Sequence, residues 1–536
     1  MLAGQQRTCG SARAPERSWN IPEPADPMSH QEPMPRPAEK VVLHVGYPLW
    51  RKHTLVAVAR AKELQDSGAD VILSYCGARN GTCAVNFAGS PVACAICRSR
   101  VRRTAEANGL KTVLLDTGYE SGELTLSEKQ DMAEGVRSAV ISTFRQLPND
   151  GAENVVIRMI KRRYYRTACG LLKSMKKLLS QELPDRVEVF NGRHACSKFC
   201  VTASTGKGIS FNTLEVTGRA KPIMFQGHSA HDRFRIQDRM RELPADRETA
   251  EQYFRSRRQP AVNRFTKRYS ATFVPPKAQS FKKKVSVFLS SQDEFEALGR
   301  AWRSPFRDCA GVVRQACLSN PDYLFCVRFH PNQADMISDC RIPFDDVRQL
   351  PNVVIYDPND SANSYTLMQW SDIVVTFGST VTVEACWMGK PTIMLGPSFY
   401  DQLDVSFNPT TMDEFLTALR QNLLPRPAEN AVAVAMYEKD GCDPMRYVGH
   451  NGKAMVSAGV TLKRTWLSRL AGAADNLFCR FVKGYSRWHF KRHSRNRQVK
   501  KRAGVSREEQ SELVSVQKRR AAVRESDIKK QGGEAA

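Results

Sequence analysis

Basic and hydroxyl side chains follow two apolar runs in the second half of the sequence, where predicted strands end. Arg328 and His330 close one run and are expected to emerge where the sheet meets solvent. Ser379 and Thr380 stand between a later run and a helix. Backbone N–H groups and hydroxyls at a helix N-terminus form an anion site by geometry, and Glu384 lies one turn further on the same helix face. Taken singly, a His-Pro turn and a plain helix N-cap explain these residues. Together they predict one crevice that fits a phosphate ester of a nucleotide.

A cysteine-rich loop follows the second predicted strand, with four cysteines inside 22 residues at the spacing C-x6-C-x10-C-x2-C. They are Cys76, Cys83, Cys94 and Cys97. Four thiolates could hold a tetrahedral zinc ion, or an iron–sulfur cluster. Cys196 and Cys200, four residues apart, could dock nearby. Four reduced thiols in a compact loop are the alternative, and no catalytic role is predicted for them.

Short β-branched runs alternate with helical patterns and must position these residues. Strands are predicted at Val41–Val45, Asp70–Tyr75, Lys111–Asp116, Val187–Phe190, Pro222–Phe225, Val285–Leu289, Tyr323–Phe329, Val353–Tyr356, Ile373–Thr376 and Thr392–Leu395. In the second half, helices are predicted at Phe295–Cys317, Ser364–Trp370 and Thr380–Met388. Strand–helix–strand alternation predicts parallel sheets. We therefore expect an α/β protein with two Rossmann-like, doubly wound domains, and ligands at the carboxyl ends of the strands.

Composition fits this organisation and locates the charge. At 536 residues, the chain is too long for one ordinary core, and 41% hydrophobic residues exclude wholesale disorder. Lys and Arg number 80 against 55 Asp and Glu, a net charge of +25, which implies an anionic partner. Residues 463–536 hold 20 basic and 7 acidic residues, so about half of the excess, +13, lies in the tail.

The two ends of the sequence differ from its body. Residues 1–39 contain seven of the 28 prolines and lack the apolar core of a signal peptide, so we predict a disordered arm on a cytosolic protein. Aromatic and basic residues recur at helical spacing over 461–493, which favours an amphipathic helix in an anionic membrane interface. Packing of this helix across both domains is the alternative. Residues 494–536 are polar, and we predict disorder.

The second half resembles the donor domain of bacterial capsule and surface-polysaccharide biosynthesis glycosyltransferases. The similarity is specific over about 283–400 and looser over 41–240. Its motifs are Arg328-Phe329-His330-Pro331-Asn332, Tyr356-Asp357-Pro358 with Ser361 and Ser364, Asp372–Ala385, Gly389-Lys390-Pro391, and, in the first half, Phe190–Arg193 and Gly227–Asp232. The resemblance implies the GT-B architecture: an acceptor domain over 40–275, with the cysteine loop at 76–97, and a donor domain over 283–460, joined near 276–284.

The resemblance also implies roles for single residues. The donor would be bound by Arg328, His330, Asn332, Ser361, Ser364, Ser379, Thr380 and Glu384. Of these, His330, Ser379 and Thr380 would contact the phosphate, while Glu384 would lie near the ribose or sugar. His-Pro followed by Ser/Thr is also the pattern of transferases that use cytidine-linked donors. The sequence contains no Asp-x-Asp motif, so metal-independent transfer is implied, with no cofactor required for catalysis.

Inverting transfer needs a general base, which the first domain supplies in this architecture. His228, His231 and Asp232 are the catalytic candidates, with Glu215 behind them; ordinary surface polarity is the alternative. Acceptor binding is predicted for Asn191 and Arg193, against the alternative of a tight Asn-Gly turn.

These inferences predict a glycosyltransferase that moves a sugar from a nucleotide donor, CMP-linked in one version, onto a surface glycan. The expected partners are the donor, a glycan or lipid-linked acceptor and an anionic membrane surface, with the protein on the inner face of the cytoplasmic membrane. A CDP-polyol or glycerol phosphotransferase is the alternative within the class. A basic nucleic-acid-binding protein is the alternative from another class. It is disfavoured because the sequence contains no recognised nucleic-acid module.

Overall fold

The computed structural model describes residues 38–118, 122–147, 154–216, 222–259, 280–337, 340–360, 362–441, 446–450, 455–457, 459–462 and 466–492. The predictions for the arm before residue 38, for Ser361 and for the tail after 493 lie outside the described residues.

The first half builds a six-stranded sheet in the order β3-β2-β1-β4-β5-β6. Its strands are β1 (Lys40–Val45), β2 (Asp70–Cys76), β3 (Lys111–Leu115), β4 (Arg186–Phe190), β5 (Ser210–Val216) and β6 (Pro222–Gln226). Its helices are α1 (Arg51–Asp66), α2 (Pro91–Glu106), α3 (Leu126–Phe144), α4 (Val155–Glu182), α5 (Ala195–Lys207), α6 (Arg233–Glu242) and α7 (Arg247–Arg257). All neighbouring strands are parallel except β6, which runs antiparallel to β5. This is the doubly wound Rossmann order.

The second half builds a five-stranded parallel sheet in the order β11-β10-β7-β8-β9. Its strands are β7 (Lys283–Phe288), β8 (Tyr323–Arg328), β9 (Val353–Tyr356), β10 (Ile373–Thr376) and β11 (Thr392–Met394). Its helices are α8 (Gln292–Leu298), α9 (Cys309–Ser319), α10 (Asp345–Arg348), α11 (Ser364–Trp370), α12 (Val381–Trp387), α13 (Met412–Arg420) and α14 (Val432–Asp440). Read from β9, the order is again doubly wound, so the predicted fold class is confirmed.

The single helix predicted over Phe295–Cys317 is wrong. The chain forms α8, a 3₁₀ turn at Arg300–Trp302, and then α9. Gly299 interrupts the first helix with a φ of +97°, a conformation that glycine adopts without a Cβ penalty. The break turns the segment that follows α8 toward the first sheet and shapes the cleft described below.

Helices α6 and α7 lie in the range assigned to the first domain but pack on elements of the second. Ile236, Met240 and Phe254 share a buried cluster with Val383 of α12 and Val432 of α14. The chain therefore crosses to the second sheet at α6, before the predicted boundary near 276–284.

Residues 466–492 form the last described helix, α15, as the sequence predicts. Ala471 and Val482 pack into the core of the first half. The helix is also tied to both halves by hydrogen bonds, from Asn154 Nδ2 to Ser486 Oγ (2.5 Å) and from Arg487 Nη2 to the carbonyl of Asp335 (2.8 Å). Within the described residues, no helix combines the length and the apolar content that crossing a bilayer requires.

Candidate donor and acceptor sites

Helix α3 of the first half contacts α8 of the second and joins the two sheets. Ser138 Oγ donates to the carbonyl of Ala297 (2.6 Å), and Arg145 Nη2 donates to Asp293 Oδ1 (3.2 Å). The backbone also approaches closely here, because a Cβ on Gly299 would lie 2.8 Å from Glu134 Oε1. These contacts hold the walls of one cleft at a defined separation.

That cleft has a volume of about 680 Å³ and is lined from both halves of the chain. The first half contributes Arg193, His228, His231 and Asp232, while the second contributes the segment from Ala297 to Trp302. The structure therefore brings the three predicted catalytic residues together with one predicted acceptor residue.

His228 presents one ring nitrogen as a proton acceptor. Its Nδ1 lies 3.0 Å from the carbonyl oxygen of Ser229. Since a carbonyl only accepts, Nδ1 carries the proton of the neutral ring, and Nε2 is left as the acceptor. A half-buried imidazole in this tautomer can take a proton from a hydroxyl in the cleft.

His231 is more deeply enclosed. Its Nε2 is buried and has no hydrogen-bond partner among the described residues, while its carbonyl accepts from Trp302 Nε1 (2.9 Å). Burial, together with the charge of Arg193, lowers the pKa of His231 to about 3. The ring is therefore neutral at ordinary pH and only weakly basic.

The other first-half candidates have structural partners. Asp232 Oδ1 accepts from the amide of Arg235 and caps α6 (3.2 Å). Asn191 Nδ2 donates to Glu215 Oε2 (2.6 Å), and burial raises the pKa of Glu215. Asn191 has a φ of +67° and the glycine after it +68°, so the tight-turn alternative describes this segment.

Arg193, which follows that turn, aims its guanidinium across the cleft. Nη1 donates to Ser142 Oγ (3.3 Å), while Nε is buried without a hydrogen-bond partner among the described residues. Burial lowers the pKa of Arg193 below its ordinary value. This arginine remains the stronger of the two predicted acceptor residues.

A second pocket, of about 440 Å³, opens at the carboxyl ends of the second sheet. Ser290 after β7, Phe377 after β10 and Pro397 after β11 form its floor, and Phe295, Trp302, Arg303 and Arg307 are among the residues of its walls. None of these pocket residues was predicted from the sequence. Their position could have been expected, because the walls of the pocket follow β7, the central strand of the sheet, and ligands bind at the carboxyl ends of such strands.

The predicted phosphate residues start from the same edge of that sheet. Thr376, Phe288 and Arg328 lie in one row across β10, β7 and β8. Two strand spacings separate the outer members, about 10 Å. His330 and Ser379 follow this row by two and three residues, so their backbones emerge together.

His330 is fixed by its own turn. Its Nδ1 accepts from the amide of Asn332 (3.1 Å), and its backbone N–H donates to Gln333 Oε1 (2.8 Å). The neutral ring then carries its proton on Nε2, the state that donates to a phosphate oxygen. Asn332 uses its side chain elsewhere and donates to Glu294 Oε1 (2.8 Å).

Arg328 does not emerge into solvent, so that expectation is wrong. It is the last residue of β8 and is buried under the loop that follows β9. Its guanidinium donates to the carbonyls of Asp357 (2.6 Å) and Asp360 (3.2 Å) and so holds that loop. Ser364 begins α11 below the same loop, and Asn363 caps the helix.

The Gly-Ser-Thr segment and Glu384 meet an arginine that the sequence analysis did not single out. Ser379 Oγ accepts from the amide of Val381 (3.3 Å) in the turn before α12, and Thr380 is the N-cap residue of that helix. Arg257 of α7 donates to Thr380 Oγ1 (3.4 Å) and pairs with Glu384 Oε1 (2.5 Å). Burial lowers the pKa of Arg257, but the charge of the adjacent Glu384 carboxylate raises it, and the net result is a pKa above the ordinary value of arginine. Arg257 is 127 residues from Glu384 in the sequence, so no local sequence pattern could predict their contact.

The four cysteines predicted to share one loop do not all lie in it: Cys76 ends β2, Cys83 lies in the loop, and Cys94 and Cys97 lie on α2. Together with Cys196 they line one small cavity of about 30 Å³. Cys200 is buried one helical turn further along α5. In the described part of the chain, no three His, Cys, Asp or Glu side chains already stand at metal-ligand separation.

Solved structures similar to this chain have low identity to it. The β-Kdo 2,4 transferase KpsC of Thermosulfurimonas dismutans is 14% identical, covers 47% of this chain and 79% of its own, and has a TM-score of 0.32. UDP-GlcNAc 2-epimerase from Neisseria meningitidis, bound to UDP-GlcNAc, is 11% identical, covers 75% of this chain and 100% of its own, and has a TM-score of 0.24. The spinosyn rhamnosyltransferase SpnG, complexed with thymidine diphosphate, is 13% identical, covers 75% of this chain and 95% of its own, and has a TM-score of 0.23.

No protein-family model and no curated protein matches the sequence. These scores assign neither a family nor an activity, so the description of the fold rests on the two strand orders.

Proposed function

We propose that the protein is a glycosyltransferase that moves a sugar from a nucleotide-linked donor onto a glycan acceptor. The observation that carries the proposal is the adjacency of the two cavities. Trp302 lines both the pocket of about 440 Å³ and the cleft of about 680 Å³. A donor in the pocket and an acceptor in the cleft would meet beside this indole.

The pocket at the second sheet has the chemistry of a nucleotide site. Its volume lies within the range of about 300–1,000 Å³ that small-molecule sites occupy. Phe295 and Trp302 offer aromatic faces to a base, and the exposed Arg303 and Arg307 offer cations to phosphates. His330 and Ser379 follow strands of the same sheet edge. Neither is among the residues that line the pocket, and we propose that they reach the phosphates from beside it. Because protein groups meet the phosphate charge, we expect transfer without a divalent metal.

The cleft has the chemistry of an acceptor site. The carboxylates of Glu128, Asp131 and Glu134 line it and can accept from sugar hydroxyls. The His228 Nε2 takes the proton of the attacking hydroxyl as its oxygen bonds to the anomeric carbon. The bond from that carbon to the phosphate oxygen breaks, and the nucleotide leaves with the electron pair. His228 is therefore the proposed general base.

The reaction is tested by incubating the protein with CMP-, UDP-, GDP- and dTDP-linked sugars and assaying released nucleotide with and without EDTA. A cytidine-linked sugar is the first donor to test, because of the resemblance. We expect release from one donor class, unaffected by EDTA. Arg307→Ala should raise the donor KM about tenfold. Arg314→Ala, an exposed arginine of α9 outside the pocket, should not change it. If no donor binds or is consumed, the proposal fails.

We further propose that α15 holds the enzyme at an anionic membrane surface, where a lipid-linked acceptor is presented. One face of the helix is packed on the body of the protein, and the opposite face carries an exposed apolar stripe. The stripe is Trp466, Leu470, Leu477, Phe481 and Trp488. Its members are spaced by four and seven residues, which keeps them on one side of an α-helix.

The basic residues of the same helix indicate that the surface that this stripe contacts is anionic. The helix contains six Lys and Arg residues and one acidic residue, Asp475. Arg469 and Arg480 are exposed and each precedes a member of the stripe, whereas Asp475 faces the body and accepts from the amide of Ala88 (3.3 Å). Apolar insertion flanked by cations is the pattern of interfacial helices.

Flotation with phosphatidylcholine vesicles containing phosphatidylglycerol tests this placement. Leu470→Asp with Phe481→Asp should lower the bound fraction about tenfold, and Arg469→Glu with Arg480→Glu should remove its salt dependence. The exposed Leu424→Asp, outside the helix, is the matched control. Equal flotation of all variants would contradict the proposal. The proposal would also be contradicted if the wild-type protein formed a dimer that the stripe variants dissociate and did not bind vesicles.

A further inference from the structure

Five thiols from β2, α2, α5 and one loop gather in the first domain, around a cavity whose lining residues differ from those of both proposed substrate sites. Cys76 ends β2, Cys94 and Cys97 lie three residues apart on one face of α2, and Cys83 lies in the loop between them. Cys196, in the first turn of α5, completes the lining of the same small cavity. Packing alone does not require this convergence, since any small apolar side chain fills a core position as well as cysteine does.

Two N–H groups already point at sulfur atoms of the cluster. The amide of Ala78 donates to Cys76 Sγ (3.4 Å), and Asn86 Nδ2 donates to Cys94 Sγ (3.3 Å). Asn86 Nδ2 also donates to the carbonyls of Gly81 and Ser90, so its two hydrogens are shared among three acceptors, one of which is the Cys94 sulfur. Donors aimed at sulfur stabilise a thiolate, and such outer contacts orient the ligands of metal sites.

The loop that carries Cys83 is tightly fixed. The backbone groups of Cys83 and Asn86 bond reciprocally at 3.2 and 3.1 Å. Gly81 allows a close turn, because a Cβ there would lie only 2.6 Å from the Cβ of Ala78. The backbone therefore keeps these cysteines around one cavity, although no three of the described His, Cys, Asp and Glu side chains stand at metal-ligand separation. Binding of an ion requires the cysteine side chains to turn toward it.

Cations lie beside the cluster. Arg98 donates to the carbonyl of Ala78, and Arg100 of the same helix is buried. A divalent ion with four thiolates has a net charge of −2, which these two arginines offset.

We infer that this cluster is a structural zinc site in which Cys76, Cys83, Cys94 and Cys97 bind the ion and Cys196 lies beside it. Zinc binding brings the four sulfurs to about 2.3 Å from the metal in a tetrahedron, and each thiol releases its proton to solvent. A cavity of about 30 Å³ has room for a single ion, and the iron content of the purified protein tests the iron–sulfur alternative. The zinc ties β2 to α2, and this inference does not depend on the proposed reaction.

Elemental analysis of the full-length protein, purified with reductant and without chelator or metal affinity resin, tests the site. We expect about one zinc and no iron per chain. Cys94→Ser and Cys97→Ser should each lower zinc below about 0.2 per chain, judged on the folded fraction by circular dichroism. Cys317→Ser, a buried cysteine of α9 in the second domain, should keep its zinc.

Wild-type protein provides a second measurement that does not depend on how the variants fold. Blocking the thiols with a mercurial reagent should release zinc to a chromogenic chelator as the four thiols react. Zinc below about 0.2 per wild-type chain, a disulfide among these cysteines, or iron in place of zinc would each overturn the inference. Loss of zinc in Cys196→Ala with retention in Cys83→Ser would overturn the assigned ligand set.

Discussion

The cleft beside the first sheet and the carboxyl edge of the second use their polar residues differently. In the cleft, His228 and His231 each keep a ring nitrogen outside the hydrogen bonds that fix the ring and its backbone. At the second edge, Arg328 holds a loop and Glu384 pairs with Arg257. Strand-end residues of the same kinds therefore hold the structure at the second edge, whereas in the cleft they keep ring nitrogens that the proposed reaction could use.

The difference shows that the loop after a strand decides whether the polar residue at the end of that strand can contact a substrate. The loop after β9 folds over Arg328 and presents carbonyl oxygens to it. The loop after β6 leads away from the sheet into α6, so His228 stays at the margin of an open cleft. A polar residue becomes available to substrate where no loop covers it.

The largest expected effect tests the use of the cleft. His228→Ala should lower kcat/KM by about 10²–10⁴-fold, because general-base catalysis contributes that much. His231→Ala should cost about tenfold or less, since a base with a pKa of about 3 accepts protons poorly. The measurement is nucleotide release at saturating acceptor, with the donor that the panel identifies.

His228→Gln separates base chemistry from packing. The amide occupies similar space but cannot take up the proton, so this variant should be as impaired as His228→Ala. Full activity in either variant, or a larger loss in His231→Ala, would reverse the roles assigned to the two rings.

Much of the fold follows from the sequence, because buried parallel strands appear as apolar runs. All five strands of the second sheet were predicted this way. Strand β5 was missed because four of the seven residues of Ser210–Val216 are polar, so the segment is not an apolar run; it lies where pairing in the sheet becomes antiparallel. The break at Gly299 was missed because a glycine in a helical pattern does not reveal its φ.

The sites follow from the sequence only in part. His228, His231 and Asp232 could be grouped because they share one loop. The pairing of Arg257 with Glu384 joins residues 127 positions apart, on helices that meet only after the chain crosses between sheets. Single-sequence patterns carry no information on such a contact.

The second prediction tests whether the pair at the second edge holds the fold. Arg257→Met leaves the buried Glu384 carboxylate unpaired and should lower the free energy of unfolding by about 2–3 kcal/mol, less than for a fully buried pair because the arginine is partly exposed. Arg257→Met with Glu384→Leu should recover to within about 1 kcal/mol of wild type. Urea unfolding, followed by tryptophan fluorescence, is the measurement.

An exposed pair is the control for that comparison. Arg239→Met removes the surface partner of Glu242 and should change the free energy of unfolding by about 0.5 kcal/mol or less. A stable Arg257→Met that has lost donor binding would show the pair to be part of the donor site, and would make the two edges alike.

The smallest expected effect concerns the pH dependence of stability, which the buried ring of His231 should impose from the cleft side. Burial and Arg193 lower its folded pKa to about 3, whereas the unfolded value is about 6.5. Below pH 6.5 the unfolded chain therefore binds a proton that the folded ring refuses, and stability falls as the pH drops toward 3. At pH 5 this amounts to about 1–2 kcal/mol. His231→Asn should reduce the loss of unfolding free energy between pH 7 and pH 5 by that amount, whatever the stability of the variant at pH 7. If the variant loses as much stability as wild type over this pH range, His231 is already protonated in the folded protein.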